Sequence, residues 1–346
     1  MKRAIFDDVG SYPLPEGTTK EWIKEAFAKI PVEATSYKDK LYGIIKDAGW
    51  QKLNAGVEVP NYPQFQNMIS QFIEPIMDDE RTEAPLLIRE EEANMVEMDA
   101  IEELAKEYRE KRGEKLKVRI CVTGPVELYY SQFPTPVYVD VLSNLAKSVG
   151  RFVKHAIEEA KGNRNYEVKC VSIDEPSMGL DPRIEEEGII TALDLASDYA
   201  FRKSVDTQIH LHSPIFYETV CQTEGIKVMG LESAANPSLL ALIEKKQLDK
   251  YDKFLRVGVA RTDILSMAAE YDEIHHTNAF RDKGVLKTVV NEYNSPEKVK
   301  KRLEKAYSIF GDRIRYVGPD CGLGPFPNQE LACLVLENTA AGIKGF

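Results

Sequence analysis

Short apolar runs alternate with longer amphipathic stretches along the chain. Eight of the runs read as strands: Ile5–Val9, Leu53–Val57, Val118–Val122, Val168–Ile173, Thr207–Leu211, Val228–Leu231, Phe254–Val259 and Ile314–Val317. Several are β-branched and apolar at consecutive positions, which is how parallel strands buried on both faces read. The stretches between them carry helical periodicity. Glu91–Arg112 puts Met95, Met98, Ile101, Leu104, Ala105 and Tyr108 on one stripe, with Gly113 as a stop. Val139–Lys161 does the same with Leu142, Leu145, Val149, Phe152 and Val153, and Gly162 follows. Ser295-Pro296-Glu297 is an N-cap, a first-turn proline and a first-turn acid. Eightfold strand–helix alternation predicts an α/β fold, a (β/α)8 TIM barrel, with residues 1–346 as a single domain. A doubly wound open sheet is the alternative. There is no internal repeat, low-complexity segment or Gly/Ser linker.

In a barrel the chemistry lies where strands end and βα loops begin, and here nearly every predicted end carries a polar or turn-forming residue. The first ends in Val9-Gly10-Ser11-Tyr12-Pro13, the second in Gly56-Val57-Glu58 and the third in Thr123-Gly124-Pro125. The fourth ends in Asp174-Glu175-Pro176, the fifth in His210-Leu211-His212 and the sixth in Glu232. The seventh ends in Ala260-Arg261 and the eighth in Asp320-Cys321-Gly322. Cys, His and Glu on separate strand ends form the donor set of a catalytic zinc site, which takes about three protein ligands and keeps a position open. His210 and His212 are two apart on a strand and share a face. For His212 the metal reading is preferred; for His210 a ligand and a hydrogen-bonded core histidine both stand. Glu175 reads as an ion-pair residue or the N-cap of the next helix. Asp174, ending the most apolar strand, reads as a site residue. Glu58 and Asp174 would hold a substrate ammonium, and Ser11 with the loop amides around it a carboxylate. The pair His275-His276 reads as a solvated loop.

Composition narrows the class. A hydrophobic fraction of 43% and a charged fraction of 29% belong to a globular protein. No apolar run reaches the roughly 20 residues of a membrane span. The charged start, Met1 to Asp8, lacks the apolar core of a signal peptide, so a cytoplasmic enzyme is expected. Five scattered cysteines form no disulfide framework and suit a reducing compartment. A net charge of −11 argues against nucleic acid and anionic membranes as partners.

The fragments Val9-Gly10-Ser11-Tyr12-Pro13, Thr123-Gly124-Pro125, Ile173-Asp174-Glu175-Pro176, Asp206-Thr207-Gln208-Ile209-His210 and Pro319-Asp320-Cys321-Gly322-Leu323 occur in this order. Together they resemble the catalytic domain of the cobalamin-independent methionine synthase family, over nearly the whole chain. The resemblance implies a (β/α)8 barrel and a zinc ion (Zn2+) held by His, Cys, Glu and Cys. It carries metal ligation to Glu232, Cys321 and, on the best register, His212. It carries homocysteine binding to Val9, Ser11, Glu58 and Asp174, and places Cys321 and Asp174 in the catalytic set.

Three departures redirect the expected donor. The family's His-x-Cys becomes His210-x-His212 or His212-x-Pro214, so one thiolate is lost and His210 stands in a position to replace it. The large N-terminal domain of full-length synthases and a Tyr-Gly-Ser-Arg-type folate segment are missing. The histidine expected after the seventh strand, which would protonate a folate leaving group, is replaced by Ala260-Arg261-Thr262-Asp263. A cob(I)alamin leaving group needs no such acid. The expectation is a short "core" synthase that moves a methyl group from methylcobalamin or another methylcorrinoid, carried on a corrinoid protein, to homocysteine. The alternatives are a methylcorrinoid:coenzyme M methyltransferase, a barrel of the uroporphyrinogen decarboxylase kind, and a non-catalytic corrinoid- or thiol-binding module.

Overall fold

A computed structural model describes residues 3–30, 36–133, 137–179 and 183–346. Its strands are β1 (Ile5–Phe6), β2 (Thr82–Ala84), β3 (Leu87–Ile88), β4 (Leu116–Thr123), β5 (Tyr166–Asp174), β6 (Asp206–Leu211), β7 (Val228–Leu231), β8 (Phe254–Ala260) and β9 (Ile314–Pro319). β2 and β3 form a small antiparallel hairpin, and the other seven make a sheet ordered β1-β9-β8-β7-β6-β5-β4. Helices separate most of these strands, so the fold is mixed α/β with a parallel sheet.

The chain divides into two compact units. One comprises Met1–Phe65, Glu232–Ala241 and Val257–Phe346, and the other Gln66–Leu231 and Leu242–Arg256. In the first, β1 and β9 pair in parallel, Ile5 opposite Tyr316 and Phe6 opposite Val317. The helix Pro296–Phe310 begins on the Ser295 cap read from the sequence and buries Val299, Leu303, Ala306 and Phe310. In the second, β4, β5, β6 and β7 pair in parallel in chain order. Most positions of these strands are buried, and helices pack against them. Val139–Gly162 buries Leu142, Leu145, Val149, Phe152 and Val153 along one stripe, and Val96–Arg112 buries Met98, Ile101, Leu104 and Ala105.

The sequence reading needs correction at the second strand. Leu53 and Asn54 end a helix, Ser36–Asn54, whose buried stripe Leu41, Tyr42, Ile45, Ala48, Gly49 and Lys52 runs at helical spacing to its last turn. What runs beside the continuation of β1 is the segment after it. Two isolated parallel bridges, Asp7 with Val59 and Ser11 with Gln64, mark its course. Pro60 and Pro63 lack the N–H a continuous ladder needs. His275 is likewise not in a loop; it closes the helix Ile264–His275, with His276 as its left-handed cap.

Among the described residues, no helix is long and apolar enough to cross a membrane.

Candidate metal centre

Glu232 directly follows the last residue of β7, and Cys321 lies two residues beyond the end of β9. Between Cys321 and its strand stands Asp320, whose side chain is 2% exposed. Its Oδ1 accepts from the amides of Ser233 at 2.9 Å and Ala234 at 2.8 Å, and its Oδ2 from that of Ala235 at 2.8 Å. Burial pushes its carboxyl up to about 6, against the pull of the Ala234 and Ala235 amides. The Ser233 hydroxyl donates to the carbonyl of Gly258 at 2.9 Å, and the Asp320 amide to that of Ala260 at 2.8 Å.

The turn after Cys321 leans on Ser11. The Leu323 amide donates to the Ser11 carbonyl at 2.8 Å and the Gly324 amide to Ser11 Oγ at 3.3 Å. A Cβ at Gly322 would run into Ser11 Oγ, so only glycine allows this approach. Val9, two residues before Ser11, is buried, and the carbonyl of Gly10 accepts from the amide of Gln64 at 3.2 Å.

On β6, the rings of His210 and His212 meet edge-on with centroids 5.4 Å apart, as their shared strand face requires. His210 is buried and His212 exposed. Opposite His210 on β7 stands Gly230, where a Cβ would lie 3.6 Å from His210 Nδ1. Asp174, the last residue of β5, is in register with His210 and accepts from Ser172 Oγ at 2.7 Å. One donor atom each from His210, His212, Glu232 and Cys321 forms a group within 4.8 Å of one another. Two imidazoles, a carboxylate and a thiol at this spacing suit zinc.

Glu58 is placed elsewhere. Its Oε2 accepts from the Phe6 amide at 2.9 Å, and its Oε1 pairs with Arg3 at 2.5 Å. Its carboxylate therefore serves the start of β1, while the residue that reaches Ser11 is Gln64. In this structure Glu58 is engaged by Arg3 and the Phe6 amide, and Asp174 by Ser172. Glu175 does not cap the next helix, whose N-cap is Glu185; it bonds the start of an earlier one. It accepts from the first amides of Pro125–Gln132, Val126 at 3.0 Å and Glu127 at 2.7 Å. Burial pushes its carboxyl up to about 8. After β8, Asp263 is tied to Arg261 by contacts of 2.9 and 2.6 Å, and the ring of His275 packs on Tyr271 at 4.1 Å.

Sequence reasoning missed the linking role of Asp320 and the position of Gln64. The only sequence signal for the first was an acid next to Cys321; for the second it was a polar residue after Pro63.

No protein-family model matches the sequence, and no curated protein matches it. Solved structures do resemble its fold. A B12-independent methionine synthase from Shewanella sp. W3-18-1, in complex with selenomethionine, shares 15% identity at a TM-score of 0.61, covering 99% of this chain and 97% of that one. A methyltransferase from Methanosarcina mazei shares 12% at 0.56, covering 100% and 95%. At such identities the likeness is one of fold.

Proposed function

We propose that this chain is a zinc-dependent methyltransferase that passes a methyl group from a methylcorrinoid to the thiol of homocysteine, forming methionine. The observation that carries this reading is the group His210, His212, Glu232 and Cys321, with donor atoms within 4.8 Å. It occurs on a fold similar to that of a B12-independent methionine synthase and a methyltransferase. On this reading residues 1–346 work as one (β/α)8 barrel, which the seven-stranded parallel order supports.

The four residues would hold the zinc, and a bound zinc supplies Lewis acidity that lowers the pKa of an acceptor thiol. The rest falls to the chain's own groups. Asp174, at a strand end in register with His210, faces the task of holding the substrate ammonium. Ser11 accepts from Gly324, which leaves its own O–H to donate to a carboxylate, with the backbone from Val9 to Ser11 shaping that end. In the transfer, a sulfur lone pair forms the S–CH3 bond while the methyl–cobalt bond breaks and its electrons stay on cobalt. No proton has to reach the leaving group. That agrees with a strand end where the residues right after β8 are Arg261, Thr262 and Asp263, with Asp263 held by Arg261.

One observation favours a second acceptor. Glu58 pairs with Arg3 and accepts from the Phe6 amide, contacts that compete with an ammonium for its carboxylate. A thiol without an amine, such as coenzyme M, is therefore the alternative.

The test is incubation of the purified protein with methylcobalamin and either homocysteine or coenzyme M, following loss of the methyl–cobalt absorbance. Turnover with homocysteine is expected, and turnover only with coenzyme M selects the second reading. Equal turnover with methyltetrahydrofolate in corrinoid-free assays would overturn the donor assignment.

A further inference from the structure

We propose that Asp320 is a positioning residue that sets the spacing of Glu232 and Cys321 before a metal arrives, an inference that rests on the zinc reading above. Asp320 adjoins Cys321 in the chain, and its carboxylate accepts from Ser233, Ala234 and Ala235, the three residues after Glu232, at 2.8 to 2.9 Å. Each ligand is therefore one residue away from the same carboxylate. The two loops come from β7 and β9, and nothing in their sequences keeps them in step.

The arrangement acts in two ways. A carboxylate and a thiolate repel each other when no cation lies between them, and three charge-assisted hydrogen bonds oppose that separation. With both oxygens occupied by amides, Asp320 is also withheld from the metal, although it is a carboxylate beside a ligand. Further bonds tie the clamp to β8: Ser233 Oγ donates to Gly258 O, and the Asp320 amide to Ala260 O. Ligands fixed in this manner need less ordering on binding, so affinity is gained without a new ligand.

The experiment compares wild type, Asp320→Asn and Asp320→Ala for zinc affinity by competition with a chromophoric chelator. Wild type should bind zinc tightly. The Asn variant should bind about 10- to 100-fold more weakly, as loss of groups that orient ligands commonly does, and the Ala variant more weakly still, because it keeps no acceptor oxygen. With Co2+, the Asn variant should retain the thiolate charge-transfer band of Cys321 while its ligand-field bands change as Glu232 drifts. Wild type that takes up no zinc removes the zinc reading itself. Wild type that binds, beside variants within twofold of it, overturns the clamp alone. Circular dichroism of the metal-free proteins is read in parallel; if neither variant folds, Asp320 is a general structural residue and the proposal also fails.

Discussion

Lys52 Nζ lies 2.6 Å from Asp8 Oδ2, and the two side chains are 0% and 2% exposed. The same ammonium donates to the carbonyl of Asn61 at 2.9 Å, and Asp8 Oδ1 accepts from the Asn61 amide at 2.8 Å. The pair thus ties the helix Ser36–Asn54 to the chain leading into Ser11 and to the proline-interrupted segment that reaches Gln64. Removing one partner leaves a buried charge unpaired. Lys52→Met should cost about 3–5 kcal/mol in urea unfolding. The double variant Lys52→Met, Asp8→Asn should cost less than the sum of the singles, and additivity would show that the two do not interact.

Glu97 should give the protein a pH-dependent stability component. Its carboxyl is buried, Oε1 accepts from Gln66 at 2.8 Å and Gln71 at 3.1 Å, and burial raises its pKa to about 7. Between about 4.5 and about 7 the folded chain keeps a proton that the unfolded chain has released, so this component falls as pH rises. The full effect is at most about 3 kcal/mol. Glu97→Gln mimics the protonated acid. It should match wild type near pH 4.5 and exceed it near pH 8 in denaturant midpoints; parallel curves would refute the assignment.

The two carboxylates proposed from sequence for the substrate ammonium should now separate. Asp174→Asn should raise the KM for homocysteine by about tenfold or more, the loss of one charge-assisted hydrogen bond being worth about 1.5–3 kcal/mol. Glu58→Gln should leave that KM nearly unchanged and act on the Arg3 end of β1. A comparable rise in KM from both would return Glu58 to the site.

Metal content should follow the four grouped donors. Wild type is expected to carry about one zinc per chain. Cys321→Ala should lose both the metal and the activity while keeping its circular dichroism spectrum. His210→Ala should weaken zinc as His212→Ala does, because both imidazoles belong to the 4.8 Å group. If His210→Ala retains wild-type affinity, His210 is a core histidine and the ligand set is three.

The parts that were legible in the sequence are those whose signal is local. Val168, Cys170, Val171 and Ile173 mark β5 by a short apolar-rich run that needs no information from elsewhere in the chain. His210 and His212 announce a shared face by spacing alone. Leu53–Val57 failed because a helical stripe continuing to Lys52 leaves an apolar tail that looks like a short strand. Glu58, taken to end that strand, instead follows the helix and reaches back to Phe6 and Arg3. The partners of Asp320 lie about 85 residues away in the chain, and amide donors leave no trace in side-chain identity.

The contact of Glu175 with the helix Pro125–Gln132 has a consequence for how this chain can change over time. Glu127 returns the contact by accepting from the Ser177 amide at 3.0 Å, and a Cβ at Gly124 would strike the Glu175 carboxylate. Thr-Gly-Pro and Asp-Glu-Pro, some fifty positions apart, are therefore the two halves of one fitted joint. Neither half can drift freely: a side chain gained at position 124 demands a shorter acid at 175, and a shorter acid strands two amides. Descendants of this sequence should keep both fragments or lose both, which makes their joint presence a more telling mark of ancestry than either alone.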